Sequence, residues 1–163
     1  MADTAAGAAP GRMRRIATEE AFAIPEQVEA YRALGRSGWR EPDLDFWRQV
    51  DTPGRPSARL LPLLLDVDDM RLADMDAAGI DMQLLLLNTP GVQVFDAGTG
   101  TALAARANDR LAETIARHPT RFAGLGAVAP QDPAAAAREI ARIMGPLKLN
   151  GVVINSHTAG HYL

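Results

Sequence analysis

Cysteine is absent from the 163 residues, which removes disulfides, thiolate metal sites and cysteine nucleophiles together. Lysine is nearly absent too: Lys148 is the only one, and no basic run offers a nucleic acid or an anionic membrane a landing patch. No apolar run approaches the roughly 20 residues that span a bilayer, since LLPLLLDV at 60–67 is broken by Pro62 and Asp66. Neither GxGxxG after a first strand nor GxxxxGK[ST] occurs, so the phosphate loops of the common nucleotide-binding folds are missing. What remains, 47% hydrophobic residues and a net charge of −3, predicts one soluble globular domain in a reducing cytoplasm. Residues 1–14 are small, Gly/Ala-rich and lightly basic without an apolar segment, and read as a disordered leader, with Met13 an alternative start.

The ordered pattern begins near Arg15. Residues 15–22 predict a strand, and the spacing of Ile24, Val28, Tyr31 and Leu34 a helix that Gly35 stops. A Pro/Gly-rich stretch with Trp39, Phe46 and Trp47 (36–58) predicts an ordered flap. Leu61, Leu64, Leu65, Leu72 and Met75 fall on one face of a helix over 60–78 with Gly79 behind it, leaving Asp66, Asp69, Asp74 and Asp76 to water and to Arg71. DMQLLLLN (81–88) predicts a strand buried on both faces, closed by the turn NTPG. A helix over 101–118, a strand over 121–129, a helix capped by Asp132 and Pro133, and a buried strand GVVINSH (151–157) complete the pattern. Strand and helix alternate throughout, which predicts βαβ units and a parallel sheet, either doubly wound or part of a (β/α)8 barrel.

In either architecture chemistry gathers where the strands end. Those ends are TEEAF, LNTPG, VAPQD and INSHTAGH. Alternation along a strand puts Glu19 and Ala21 on one face and Glu20 on the other, so an inward Glu19 is a hard oxygen ligand while Glu20 packs or pairs. His157 closes the fourth strand; from position alone it is as well a hydrogen-bonded strand-end residue as a ligand, and Glu19 at an equivalent end favours the ligand. His161 reads as a solvated loop residue, and His118 as a cation at a helix C-terminus on the opposite rim. Ser156 and Thr158 lack the third group of a nucleophilic triad.

TEEAFAIPE, RLADMDAAGID, TPGVQ, ARANDRLAETIARHPTRFAGLGAVAPQDP and GVVINSHTAGHYL resemble, in order and spacing, the N-terminal half of the amidohydrolase-related aromatic acid decarboxylases, including those acting on 5-carboxyvanillate, γ-resorcylate and 2,3-dihydroxybenzoate. The likeness covers residues 15–163. It implies the N-terminal half of a distorted (β/α)8 barrel of the TIM type, with one divalent metal, Mn²⁺ or Zn²⁺, held by Glu19 and His157. Ala21 stands where many amidohydrolases carry a further histidine, leaving room for another ligand, water or substrate. The implied reaction is non-oxidative removal of carbon dioxide from a hydroxylated benzoate, a small aromatic acid for which Asn88, Thr89, Phe46 and Trp47 are candidate pocket walls; Arg55 reads equally as a partner for the substrate carboxylate and as an exposed loop arginine. A proton-transferring histidine and aspartate would then lie beyond Leu163, making the chain a fragment, a split protein or an incomplete record. The resemblance also implies a homo-oligomer at full length. Two other readings stay open: a lactonase-like metal-dependent hydrolase, against which Lys148 at the wrong end of its strand counts, and a non-catalytic assembly module.

Overall fold

The computed structural model describes residues 13–38, 42–158 and 161–162; the expected leader up to residue 12 and Trp39 lie outside them. Strands β1 (Ile16–Phe22), β2 (Met82–Leu87), β3 (Phe122–Ala127) and β4 (Gly151–Val153) form one sheet in the order β1-β2-β3-β4, every neighbouring pair parallel. A doubly wound sheet reverses its strand order part-way, whereas a barrel adds each strand beside the one before. This order is that of the N-terminal portion of a (β/α)8 barrel. Helices α1 (Pro25–Arg36), α2 (Pro42–Val50), α3 (Leu60–Leu65), α4 (Asp69–Ala78), α5 (Ala97–Arg117) and α6 (Pro133–Met144) occupy the connections. None of them, among the described residues, is long and apolar enough to cross a membrane.

One face of the sheet is sealed. Gln83, Leu85 and Leu87 of β2 are buried, as is Phe122 of β3, while Gly124 and Gly126 lie so close to the helices that a Cβ would meet Leu111 at 2.7 Å and Ile143 at 2.6 Å. On the other face Leu84, Leu86, Ala123, Leu125 and Val153 are only half-buried. The expectation that 81–88 is covered on both sides therefore holds for one side only. Burial alternates strictly along β2 because no described element packs over its second face.

Three further expectations are corrected. The flap at 36–58 contains a helix, α2, whose Leu44, Trp47 and Val50 form a second core with Val28 and Tyr31 of α1. The helix at 60–78 is two, because Asp66 leaves the helical path and its Oδ1 accepts from the backbone N–H of Asp68 (3.3 Å) and Arg71 (3.0 Å), satisfying donors at the start of α4. Gly35 lies inside α1, which runs on to Arg36, since a glycine in αR geometry need not end a helix. Elsewhere local chemistry acts as read: Asp132 Oδ1 accepts from Ala135 N (2.9 Å), and Gly79 ends α4 in the left-handed region at φ 67°.

Arg71 is not a solvated partner for its helix neighbours. Its guanidinium donates to the carbonyls of Ala21 (2.8 Å), Leu63 (3.0 Å) and Asp66 (2.9 Å) and to Gln83 Oε1 (3.2 Å), tying β1, α3 and β2 together. Burial pushes its pKa down, and the charges of Glu20 and Asp66 oppose that. Two other carboxylates of the run reach across the fold, Asp68 to Arg117 and His118 and Asp76 to Arg121.

Candidate metal and substrate site at the strand ends

Register decides which of the paired acids faces where. Ala17 pairs with Gln83 and Glu20 with Leu85, so Thr18 and Glu19 both stand opposite Leu84 in a bulge. Glu20 shares the face of the fully buried Leu85 and lies with Arg71 and Gln83 along a groove under α3 and α4. Glu19 is exposed on the opposite, open face, near Ala21, which pairs with Leu86. Among the described residues its carboxylate has no hydrogen-bond or ion-pair partner. A bulge re-aims a side chain, and here it leaves an uncommitted carboxylate toward the C-terminal end of an edge strand.

His157 sits differently from the expectation. The ladder of β4 stops at Val153, Ile154 is 41% exposed, and His157 begins a separate two-residue strand, β5 (His157–Thr158), paired antiparallel with β6 (His161–Tyr162). The apolar run VVIN continues past the sheet to Asn155, whose backbone N–H is taken by the Gln93 side chain. His157 is half-buried, its ring 5.9 Å from that of Tyr162 and its Nδ1 3.4 Å from Ser156 Oγ. His161 is exposed, paired across the hairpin with Thr158.

The turn after β2 is held from every side. Asn88 N donates to Phe22 O (2.8 Å), joining the ends of β1 and β2, and Asn88 Nδ2 donates to Thr89 O (3.0 Å). Trp47 Nε1 donates to Thr89 O (2.8 Å), Tyr31 Oη to Gly91 O (2.6 Å), and Gln131 Nε2 to Val92 O and Phe95 O. Tyr31 stacks on Phe95 at 5.3 Å and tilts against Trp47 at 4.9 Å. Trp47 is 2% exposed, so it backs the turn from behind, while Thr89 itself is exposed at the rim. Arg55 is exposed ahead of the short 3-10 turn Pro56–Arg59, and the side chain of Phe46 lies outside the described residues.

A residue not singled out in the sequence joins this turn to the histidine segment. Gln93, 5% exposed, accepts at Oε1 from Asn155 N (2.6 Å), and its Nε2 donates to His157 O (2.8 Å) and Thr158 Oγ1 (2.5 Å). Asn155 answers by donating from Nδ2 to Pro90 O (2.8 Å), close over Gly91, whose φ of 64° and missing Cβ make room. A lone glutamine between Val92 and Val94 was the available signal.

The donor chemistry of Glu19 and His157, one carboxylate and one imidazole, suits a divalent ion such as Mn²⁺ or Zn²⁺. Among the described residues no group of three or more His, Asp or Glu side chains that could hold a metal ion converges. His118 and Lys148 belong to the other rim: His118 Nε2 lies 3.1 Å from Asp68 Oδ1, and Lys148, at φ 53°, lies in the turn that leads into β4.

Known proteins share this fold. A 5-carboxyvanillate decarboxylase from Novosphingobium aromaticivorans, solved with bound manganese and 3-methoxy-4-hydroxy-5-nitrobenzoic acid, superposes with a TM-score of 0.87 at 45% identity over 91% of this chain and 44% of its own. The 5-carboxyvanillate decarboxylase of Sphingomonas paucimobilis matches at 52% identity and a TM-score of 0.83, over 93% of this chain and 45% of that one. Gamma-resorcylate decarboxylase of Rhizobium radiobacter is 39% identical over 142 residues, 86% of this chain and 38% of the relative. The chain thus spans less than half the length of these relatives. The profile of the amidohydrolase family matches residues 50–163, and the chain belongs to that family.

Proposed function

We propose that this chain supplies the N-terminal half of a metal-dependent decarboxylase that removes carbon dioxide from a hydroxylated benzoate without oxidation. The observation that carries the reading is Glu19, a carboxylate without a partner among the described residues, standing on the open face of the sheet while its neighbour Glu20 lines a groove on the helix side within the field of Arg71. Relatives that share 45% and 39% of the aligned residues are decarboxylases of aromatic acids, and one of them was solved with manganese and a nitrobenzoic acid. In this proposal Glu19 and His157 are metal ligands, and the remaining donors come from a segment corresponding to the rest of the relatives' length.

A divalent ion held there would supply Lewis acidity toward the substrate carboxylate and ortho oxygen, and Mn²⁺ is favoured over Zn²⁺ by the relative's manganese. The exposed Thr89 hydroxyl offers a hydrogen bond to a substrate oxygen, and Asn88 fixes the turn that presents it. Trp47 forms the rear wall through its bond to Thr89 O, and Arg55 is assigned to pair with the substrate carboxylate. The proton that replaces the carboxylate at the ring carbon comes from a side chain outside residues 1–163. Residues 15–163 form the N-terminal half of the barrel domain, and the complete protein works in the cytoplasm as a homo-oligomer.

A chimera tests this reading: residues 15–163 fused to the C-terminal segment of the Novosphingobium aromaticivorans enzyme, assayed with Mn²⁺. Release of carbon dioxide from 5-carboxyvanillate by the chimera, and none by the 163-residue chain alone, is the expected result. Lactone hydrolysis without decarboxylation would shift the assignment to the hydrolase reading, and turnover by the chain alone would overturn the division of labour.

A further inference from the structure

Beyond β4 the chain faces a local problem. Residues 154–158 have left the parallel ladder, so their backbone N–H and C=O groups need partners, and His157 needs a defined backbone if its imidazole is to point one way. The side-chain amide of Gln93 has the donor and acceptor of a peptide group. Its Oε1 takes the N–H of Asn155 at 2.6 Å, and its two N–H hydrogens go to His157 O at 2.8 Å and Thr158 Oγ1 at 2.5 Å, with Asn155 O farther off at 3.4 Å. Gln93 therefore stands in for one strand of sheet. It is 5% exposed and anchored on a turn that Tyr31, Trp47 and Gln131 fix, and Asn155 returns a bond to Pro90 O.

We propose that Gln93 is a positioning residue for His157: it touches neither metal nor substrate, and it locks the histidine-bearing segment to the turn that carries Asn88 and Thr89. The proposal rests on the assignment of His157 as a metal ligand. Removing the amide leaves Asn155 N–H and His157 C=O without these partners and frees the backbone at the ligand. Partners that orient metal ligands are typically worth 10- to 100-fold in metal affinity, and a latch that acts through the backbone belongs at the lower end, about tenfold.

The test is titration of the 163-residue chain with Mn²⁺, following the electron paramagnetic resonance signal of the free ion, with the folded fraction measured by circular dichroism. Gln93→Met should raise the Kd about tenfold. The comparison variant, Gln83→Met, removes a buried glutamine of β2 that accepts from Arg71 on the helix face, and should lower thermal stability without moving the Kd of the folded fraction. Thr158→Val, which deletes one acceptor of Gln93, should weaken binding, and Thr158→Ser, which keeps the hydroxyl, should restore it. Equal Kd values for wild type and Gln93→Met, or equal losses in the Gln93 and Gln83 variants, overturn the proposal. If Gln93→Met does not fold, the Thr158 pair decides: identical Kd for Val and Ser overturns it. Glu19→Gln run in parallel separates the two ideas. Loss of binding there with none in Gln93→Met sinks only the latch, and no loss in either removes the metal reading itself.

Discussion

The two faces of the four-stranded sheet carry the same kinds of residue and live under different constraints. On the helix side Leu85 and Phe122 are 0% and 1% exposed, and the approach of α5 and α6 is so close that Gly124 and Gly126 have no space for a methyl group. On the open side Leu84, Leu86 and Leu125 are half-buried, and Glu19 stands among them without a partner from the described residues. The helix side shows what holds this piece of barrel together. The open side shows what it can do, because a carboxylate is available to a ligand only where the core has not consumed it.

The largest effect should come from truncating one leucine on each face. Leu85→Ala opens a cavity in the sealed core and should cost about 3 kcal/mol in urea unfolding, whereas Leu86→Ala, half exposed already, should cost under about 1 kcal/mol. Equal losses would mean that the open face is covered in solution. A smaller effect belongs to the helix ends that frame the sealed side: Asp132→Ala removes the acceptor of Ala135 N and should cost about 1 kcal/mol, with Asp132→Asn close to wild type.

The smallest effect lies on the rim away from the site, at Asp68. Burial raises its pKa, and the hydrogen bonds and charges of Arg117 and His118 more than offset this, so the folded carboxyl titrates below its ordinary value. A folded pKa below the unfolded one, about 3.9 for Asp, contributes stability that is present above that pH and is lost as pH falls through the folded value. Asp68→Asn should therefore flatten the acid limb of the stability profile below about pH 4 and leave neutral-pH metal binding unchanged. A change in metal binding would connect the two rims, which the comparison keeps apart.

Much of the helix side was legible in the sequence because its signals are local. Asp132 before Pro133, Gly79 after α4 and the alternation of strand and helix each act within a few residues. The break at Asp66 was not legible, since the leucine spacing runs on through it and the cause is a side chain turned back onto Asp68 N and Arg71 N. The early end of β4 was hidden for a similar reason: GVVIN reads as a continuous strand, and Gln93, 62 residues away, takes the backbone of Asn155 out of the ladder. Of the site, the opposite facing of Glu19 and Glu20 follows from simple alternation, although the bulge at Thr18 and Glu19 is visible only in the register with β2. The burial of Trp47 behind Thr89 depends on α2, which a Pro/Gly-rich composition concealed.

The central claim, that the open face holds the metal and the helix face only holds the fold, is tested most directly by manganese content in two variants of adjacent residues. Glu19→Gln and Glu20→Gln, each made in the chimera that completes the barrel, loaded with Mn²⁺, passed through a desalting column and measured by elemental analysis, should differ sharply. Glu20→Gln should retain the wild-type manganese content, and Glu19→Gln should lose most of it; equal loss in the two, or loss in Glu20→Gln alone, would contradict the account.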